Sequence, residues 1–154
     1  MDIFQIIRCD SPADILRSLS SVDVNILNDD KENLLHEAIA HNPQVAHELI
    51  DRNINLNQQT RKGSTPLHYA ATHQQYEIAK KIIEKGCQIN LVDIHGNNPL
   101  WYAVFFAKGY YDLVQLLMKH GADPHHKNKA GRSALDFATQ IKDSELIQIL
   151  NRAD

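Results

Sequence analysis

The sequence of 154 residues predicts an all-α solenoid of stacked helix-turn-helix units. Two ladders of similar residues carry this prediction. The first consists of leucines at positions 35, 67, 100 and 135, which are spaced by 32, 33 and 35 residues. The second consists of Asn25, Asn57, Asn90 and His125, which repeat at the same three intervals. A period near 33 residues, with one supersecondary unit per period, is typical of repeat proteins.

Each unit begins with a polar turn that is centred on a glycine. Gly63, Gly96 and Gly131 hold this place in three units, where glycine permits the positive φ that a tight turn requires. Thr65 and Pro66 then predict the start of a first helix. Threonine can cap the free amides of a helix, and proline fits its first position because no N–H is needed there.

A second helix follows in each unit. Its apolar residues recur at helical spacing, as Ile78 and Ile82 do. Gly86 and Gly121 follow the last turn of two such helices, and Asn53 holds the same place in a third. Glycine and asparagine are the residues that best adopt a left-handed C-cap, so we expect each second helix to end there.

Residues 65–71 (TPLHYAA) and 120–124 (HGADP) resemble the repeat motif of the ankyrin family. The resemblance extends over nearly the whole chain, and it is specific because the motif recurs in register. It implies a stack of helix pairs with β-hairpin-like fingers that project at right angles. It also implies that the rings of His36 and His68, at the motif position, hydrogen-bond the turn backbone.

We expect one domain, 1–154, in which terminal units act as caps because a solenoid must present polar outer faces at its ends. Ser11 and Pro12 predict the second helix of the first cap. The expected units are an N-terminal capping helix pair at 1–27, internal repeats at 28–57, 58–90 and 91–124, and a C-terminal capping repeat at 125–154.

Composition excludes several classes of protein. Sixteen basic and nineteen acidic residues give a formal charge of −3, which does not favour general binding of nucleic acid. The longest apolar run, 101–107, is far shorter than the ~18 residues of a membrane span. The N-terminus lacks the basic region of a signal peptide, and two distant cysteines make no disulfide scaffold. We therefore expect a cytoplasmic protein that binds neither nucleic acid nor membrane.

The motifs of enzymes and metal sites give no match. The sequence contains no nucleophile elbow, phosphate-binding loop or zinc-protease motif. His120, His125 and His126 could form a surface metal site, but adjacent histidines on a loop point apart. Cys87 is interpreted as a small packing residue. We predict a protein without catalytic residues, metal or cofactor.

The ankyrin resemblance implies that partners contact the finger positions and the exposed edge of the first helices. The residues that it places there are Arg61, Lys62, Ser64, Thr72, His73, Ile94, His95, Asn97, Lys129 and Arg132. The first finger is acidic, whereas the second and fourth are basic. Charged tips are also typical of a merely solvated surface. Segregation of charge by repeat favours a partner of matched charge.

Six of the ten aromatic residues lie within positions 101–111, in a repeat that is two residues longer than the one before it. Two interpretations fit this cluster, a partner-binding patch and a repacked core. Trp101 replaces the motif histidine, so part of the cluster belongs to the core. We expect two or three exposed rings, because four aromatic residues in one helix and turn exceed what a thin repeat can bury. Exposed aromatic residues are the preferred anchors of interfaces. The candidate contacts are Phe105, Phe106, Tyr110 and Tyr111.

Residues 99–105 (PLWYAVF) resemble the corresponding segment of small, free-standing bacterial ankyrin proteins of the toxin-immunity type. This resemblance implies a cytoplasmic immunity protein that binds one cognate toxin domain and inhibits it by occlusion. We expect the protein by itself to be a monomer or a weak dimer. The alternative is a general ankyrin adaptor or host-directed effector that binds a different protein. An enzyme or metal protein on an unusual scaffold is a third and weaker hypothesis.

Overall fold

The structure is a computed structural model that describes residues 1–152, and these residues form ten α-helices and no strand. A 3-10 turn at Leu19–Ser21 follows the second helix. No helix in this part of the chain is both long enough and apolar enough to span a membrane. The helices are α1 (Ile3–Cys9), α2 (Pro12–Ser18), α3 (Leu34–His41), α4 (Pro43–Asp51), α5 (Pro66–Thr72), α6 (Tyr76–Glu84), α7 (Pro99–Phe105), α8 (Asp112–Lys119), α9 (Ala134–Gln140) and α10 (Ser144–Leu150).

The helices stack in two layers, which confirms the predicted solenoid. The first-helix layer contains α1, α3, α5, α7 and α9, and each helix contacts the next in that order. The second-helix layer contains α2, α4, α6, α8 and α10 in the same succession. Between the layers lie the motif leucines Leu67 and Leu100, whose exposed fractions are 1% and 0%. No single pair could bury its apolar faces alone, so the core runs through the whole stack.

The helix ends follow the chemistry that the sequence indicates. Thr65 Oγ1 accepts the N–H of His68, and Pro66 is the first residue of α5. Gly86 and Gly121 have φ values of +90° and +92° after the second helices, and Asn53 has +59°. These caps satisfy amides and carbonyls that a helix end would otherwise leave unpaired.

The buried rings of His36 and His68 each join one repeat to the next finger. Nδ1 of His68 accepts the N–H of Thr65 at 3.0 Å, and Nε2 lies 2.9 Å from the carbonyl oxygen of Asn97. His36 makes the equivalent contacts with Asn33 and with the carbonyl of Ser64. A ring that accepts at Nδ1 and donates at Nε2 is a neutral imidazole. The hydrogen bonds implied by the ankyrin resemblance are therefore present.

Four five-residue fingers, 28–32, 60–64, 93–97 and 128–132, connect the helix pairs. In each finger the first amide donates to the carbonyl of the last residue. A side-chain oxygen of the first residue also accepts two amides within the finger. These first residues are Asn28, Thr60, Asp93 and Asn128. They form a third ladder with the spacings 32, 33 and 35, beside the two that predicted the fold.

The fingers pack in a row because backbone hydrogen bonds link each finger to the next. The amides of Arg61, Ile94 and Lys129 donate to carbonyl oxygens of the preceding fingers at 2.8 to 2.9 Å. The row is tight at Gly63, where an added Cβ would lie 2.8 Å from the Cα of Asp93. Gly63 is therefore required both for its φ of +76° and for the approach of the next finger.

The N-terminal cap is held by an ion pair. The guanidinium of Arg8 on α1 bonds both carboxylate oxygens of Glu37 on α3, and Glu37 is only 3% exposed.

Cys87 is half-buried, and burial raises the pKa of its thiol to about 11, as expected for a packing residue.

A matched pair of glycine variants separates finger packing from backbone strain. Gly63 and Gly131 share a φ of +76°, but an added Cβ at Gly131 would meet nothing within 4 Å. We expect Gly131→Ala to lower the free energy of unfolding by about 1 kcal/mol through its backbone conformation. Gly63→Ala should lower it by a further ~1–3 kcal/mol because the next finger must move. Urea denaturation measures both, and equal losses would contradict the packing of the finger row.

The buried histidines predict that acid destabilises the fold. Burial lowers the pKa of His36 from 6.5 to about 4, and it lowers the pKa of His68 as well. The unfolded chain therefore binds protons near pH 6.5, whereas the folded chain binds them only at lower pH. Above about pH 6.5 the free energy of unfolding should have its full value. It should fall as the pH decreases towards 4, and His36 alone should account for about 3 kcal/mol of this loss.

Urea denaturation between pH 7.5 and 4.5 checks this prediction. His36→Gln should flatten the decline with pH, although it also lowers the stability at neutral pH. His125→Gln removes a histidine at an exposed position and is the matched control. A pH profile that is identical in wild type and His36→Gln would contradict the assignment.

Candidate protein-binding surface

A groove runs along the solvent side of the first-helix layer, where this layer meets the finger row. Two cavities open into the groove and share Tyr69 as a wall. The first, of about 390 Å³, is lined by Asp30, Glu32, Thr60, Arg61, Lys62 and Tyr69. The second, of about 330 Å³, lies between α5 and α7 and is called the socket below. It is lined by Ser64, His68, Tyr69, Thr72, His73 and Tyr102.

The walls of the socket are two tyrosines at equivalent positions of α5 and α7. The hydroxyl of Tyr69 donates to Glu32 Oε1 at 2.5 Å, and that of Tyr102 donates to Asp93. Each ring also stands edge-on to a motif histidine, with centroid distances of 4.8 Å for His36–Tyr69 and 5.8 Å for His68–Tyr102. Burial, together with the bond to Asp93, raises the pKa of Tyr102 to about 12. Both walls are therefore fixed before any partner arrives.

One repeat later the equivalent space is filled by aromatic rings. Phe105 takes the place of Thr72, and its ring centroid lies 5.3 Å from that of Phe137 and 5.0 Å from that of Phe106. Trp101, in place of the motif histidine, packs 5.7 Å from Phe137. Phe105 nevertheless remains 49% exposed. We call the surface of Trp101, Phe105, Phe106 and Phe137 the aromatic shelf.

The six clustered aromatics do not form one patch. Tyr110 is 81% exposed, but it lies in the turn between α7 and α8. There it lines a separate cavity of about 320 Å³ together with Phe106 and Tyr76. Tyr111 is half-buried, and its hydroxyl donates to Asp143 at 2.6 Å, a bond that raises the pKa of Tyr111 to about 12. Phe105 and Tyr110 are thus the two exposed rings of the cluster, in agreement with the expected number. Of these two rings, Phe105 faces the groove and Tyr110 does not.

The structure corrects the interpretation of Asn97 as a finger tip. Asn97 is only 8% exposed, and its Oδ1 accepts a hydrogen bond from Asn128 Nδ2 at 2.9 Å. Its carbonyl also binds His68, so this residue holds the stack together. Tyr111 serves the stack in the same way through Asp143. Neither residue was distinguishable from its exposed neighbours in the sequence, because the partners that bury it lie more than 28 residues away.

The remaining candidate residues of the fingers lie at the groove edge. Lys62, Ile94, His95 and Lys129 are exposed. Arg61 is exposed as well, but its guanidinium donates to the carbonyl of Asp29 and so ties two fingers together. Of the other predicted contacts, Ser64, Thr72 and His73 line the socket, and Arg132 is half-buried in the fourth finger.

Besides His68 and Trp101 at the motif position, three residues that shape the socket and the shelf were not among the predicted contacts. They are Tyr69, Tyr102 and Phe137, and each follows the motif position by one residue, in register with Glu37 of the first repeat. A ladder of aromatic residues at this position was a usable signal.

Two of the three histidines considered for a metal site contact backbone carbonyls. Nδ1 of His120 lies 3.0 Å from the carbonyl of Leu116, and Nε2 of His126 lies 3.0 Å from that of Gly96. Within residues 1–152, no group of three or more histidine, cysteine or acidic side chains is arranged to hold a metal ion.

Charge changes sign along the groove. The first finger carries Asp29, Asp30 and Glu32, whereas Lys62 and Lys129 lie on the second and fourth. The same change of sign holds for the whole sequence. Residues 1–57 contain ten acidic and four basic residues, whereas residues 58–154 contain nine acidic and twelve basic ones.

Stacked helix pairs, a finger row and an open groove define a helical repeat solenoid. Comparison with protein families agrees with this class. The description "ankyrin repeats (3 copies)" matches residues 3–93, and "ankyrin repeats (many copies)" matches residues 102–150. The chain belongs to the ankyrin-repeat family, and membership implies a protein–protein interaction module.

One similar protein is an ankyrin repeat protein of Acanthamoeba polyphaga mimivirus. It is 31% identical to the chain over an alignment of 140 residues, and the match covers 88% of this chain and 18% of the viral protein. The chain therefore spans less than a fifth of the length of this relative.

A pair of alanine variants distinguishes the core of the third repeat from its surface. Leu100 is fully buried, so Leu100→Ala should lower the free energy of unfolding by ~2–5 kcal/mol. Phe105 is half-exposed, and Phe105→Ala should cost about 1 kcal/mol or less because no closed cavity forms. Chemical denaturation provides both values. A loss at Phe105 as large as the loss at Leu100 would show that the shelf is core.

Proposed function

We propose that the chain is a non-catalytic binding module whose groove holds one partner protein. The observation that carries this proposal is the half-exposed ring of Phe105. Other repeats have Ala40, Thr72 and Gln140 at the same position of the first helix. A bulky apolar side chain is therefore not needed there for stacking, and exposed apolar surface of this kind marks interaction sites.

The groove suits binding because its apolar elements are rigid. Phe105 rests on Phe106 and Phe137, so a partner can cover the ring with little loss of side-chain freedom. Lys62 and Lys129 lie at the edge, where charges govern the rate of encounter more than the final affinity.

The specific form of this function that we propose is an immunity protein of the cytoplasm that covers the active surface of a toxin. The resemblance of residues 99–105 to small bacterial ankyrin proteins supports it, and occlusion requires only a shaped surface. The mimivirus relative gives no support to a toxin partner. A general adaptor is the second candidate, favoured by that relative, in which a segment of this size is part of a much longer ankyrin protein.

Site-specific crosslinking in the source cells tests the binding groove. A photoreactive phenylalanine analogue placed at Phe105, and in a second variant at the exposed socket residue His73, should crosslink to one and the same protein. Gln115 on α8 is exposed on the second-helix layer and is the control position. Capture of that protein equally from position 115, or of different proteins from 105 and 73, would contradict a single groove partner.

Alanine variants measured against the captured protein rank the contacts. Phe105→Ala should lose ~2 kcal/mol or more of binding free energy, mainly through faster dissociation. Lys62→Ala and Lys129→Ala should each lose about 1 kcal/mol or less, with a marked dependence on salt. Surface plasmon resonance gives both rates, and circular dichroism confirms the fold of each variant.

Tyr110→Ala serves as the comparison in the same assay, because Tyr110 is exposed outside the groove. Wild-type binding by Phe105→Ala, combined with a loss for Tyr110→Ala, would move the partner site to the turn between α7 and α8.

A further inference from the structure

We infer that the partner presents an acidic segment with one bulky apolar side chain, which enters the socket while the carboxylates face the basic fingers. This inference rests on the proposed function, because it names the chemistry of the partner that the groove binds. It concerns the socket between α5 and α7 and the fingers that follow it.

The socket is an open version of a space that the next repeat fills with its own side chain. Between α7 and α9 the ring of Phe105 packs against Phe137. Between α5 and α7 the corresponding residues are Thr72 and Tyr102, and a cavity of about 330 Å³ remains. The chain therefore shows what fits such a space, since an aromatic side chain occupies it one repeat later.

The lining favours an apolar occupant. The hydroxyls of Tyr69 and Tyr102 are committed to Glu32 and Asp93, so these residues offer mainly their rings to the socket. His68 is committed at both ring nitrogens, and its burial lowers its pKa and keeps the ring neutral. A partner side chain gains contact with two fixed aromatic walls, and desolvation of such rings is a favourable source of binding energy.

The charge beside the socket favours an acidic neighbour of that side chain. The second to fourth fingers and the first helices after them occupy 58–73, 91–108 and 125–141. Their basic residues are Arg61, Lys62, Lys108, Lys127, Lys129 and Arg132, and their acidic residues are Asp93 and Asp136.

Both carboxylates in these segments are already engaged. Asp93 is buried and accepts the hydroxyl of Tyr102. Asp136 pairs with Lys127 at 2.8 Å, and this bond lowers the pKa of Asp136 to about 2. These segments thus retain an excess of positive charge, with six basic and two acidic residues, in a chain whose net charge is −3. Carboxylates of a partner would balance it.

The acidic first finger determines where such a segment lies. Asp29 and Asp30 are exposed beside the first cavity and would repel an acidic segment at that end of the groove. The segment is therefore confined to the groove from the socket to the fourth finger, where it also passes the aromatic shelf.

Selection from a displayed library of short random peptides tests this chemistry before the partner is identified. We expect enrichment of sequences that combine several Asp or Glu residues with one Phe, Tyr, Trp or Leu. Fluorescence anisotropy of a labelled selected peptide then gives its affinity for each variant. Enrichment of basic or uncharged sequences, or no enrichment at all, would overturn the inference.

Two pairs of variants connect the selected peptide to the groove. Thr72→Phe fills the socket as Phe105 fills the next space, and it should weaken binding at least ~10-fold, whereas Gln115→Phe on α8 should not. Lys62→Glu and Lys129→Glu should each weaken binding about 5-fold at low salt, whereas Lys80→Glu on α6 should have little effect. Equal effects of test and control variants would overturn the assignment, and thermal melting verifies that each variant folds.

A single-stranded oligonucleotide is the competing probe, because basic residues next to aromatic rings can also bind bases and phosphates. Binding of oligouridylate that exceeds peptide binding and is lost in Lys62→Glu would overturn the acidic-peptide assignment in favour of nucleic acid.

The crosslinking experiment distinguishes failure of the proposed function from failure of this inference about the partner. One protein captured at 105 and 73, without selection of acidic peptides, would retain the protein-binding groove and reject only the partner chemistry.

Discussion

The neutral histidine between successive repeats is the interaction on which the rest of the stack depends. His68 satisfies the amide at the start of its own helix and the carbonyl at the end of the next finger. Both of these groups are buried, and an unpaired polar group at such a place is costly. One ring therefore fixes the distance between a first helix and the following finger, and His36 does the same one repeat earlier. The positions of the tyrosine walls follow from this spacing.

The third repeat uses a different link. Trp101 packs against Phe137, whereas a histidine at this position would bond the next finger. The fourth finger is held by the bond from Asn128 to Asn97 and by the amide of Lys129. This exchange of a polar link for apolar packing brings aromatic rings to the surface of the stack. The aromatic shelf therefore arises where the regular repeat contact is missing, and the interruption of the motif coincides with the surface that we propose for binding.

The groove combines rigid walls with a charge gradient. Hydrogen bonds within the stack hold Tyr69 and Tyr102, and ring contacts hold Phe105. A partner therefore meets a surface that is already ordered, which reduces the entropy lost on binding. The exposed finger charges act over a longer range and orient the approach of the partner. Shape and charge in this way contribute to different stages of the same encounter.

The sequence alone determined the number of helix pairs, their register and most of their ends. Leucine spacing, glycine turns and Thr-Pro starts are local signals, and each repeat presents them again, so agreement among repeats compensates for the weakness of any one signal. The third ladder, which begins at Asn28 and Thr60, was equally visible in the sequence. It marks the closing of the fingers by side-chain oxygens.

Only the tertiary structure decided which residues remain free for a partner. Asn97 and Lys62 look alike as finger residues, yet Asn97 is buried by a neighbour 31 positions later while Lys62 stays exposed. Phe105 and Tyr110 are five positions apart, but one faces the groove and the other lines the turn between two helices. The physical reason is that a repeat buries its side chains against adjacent repeats. Exposure therefore depends on residues about one period away, and a local pattern contains no information about those contacts.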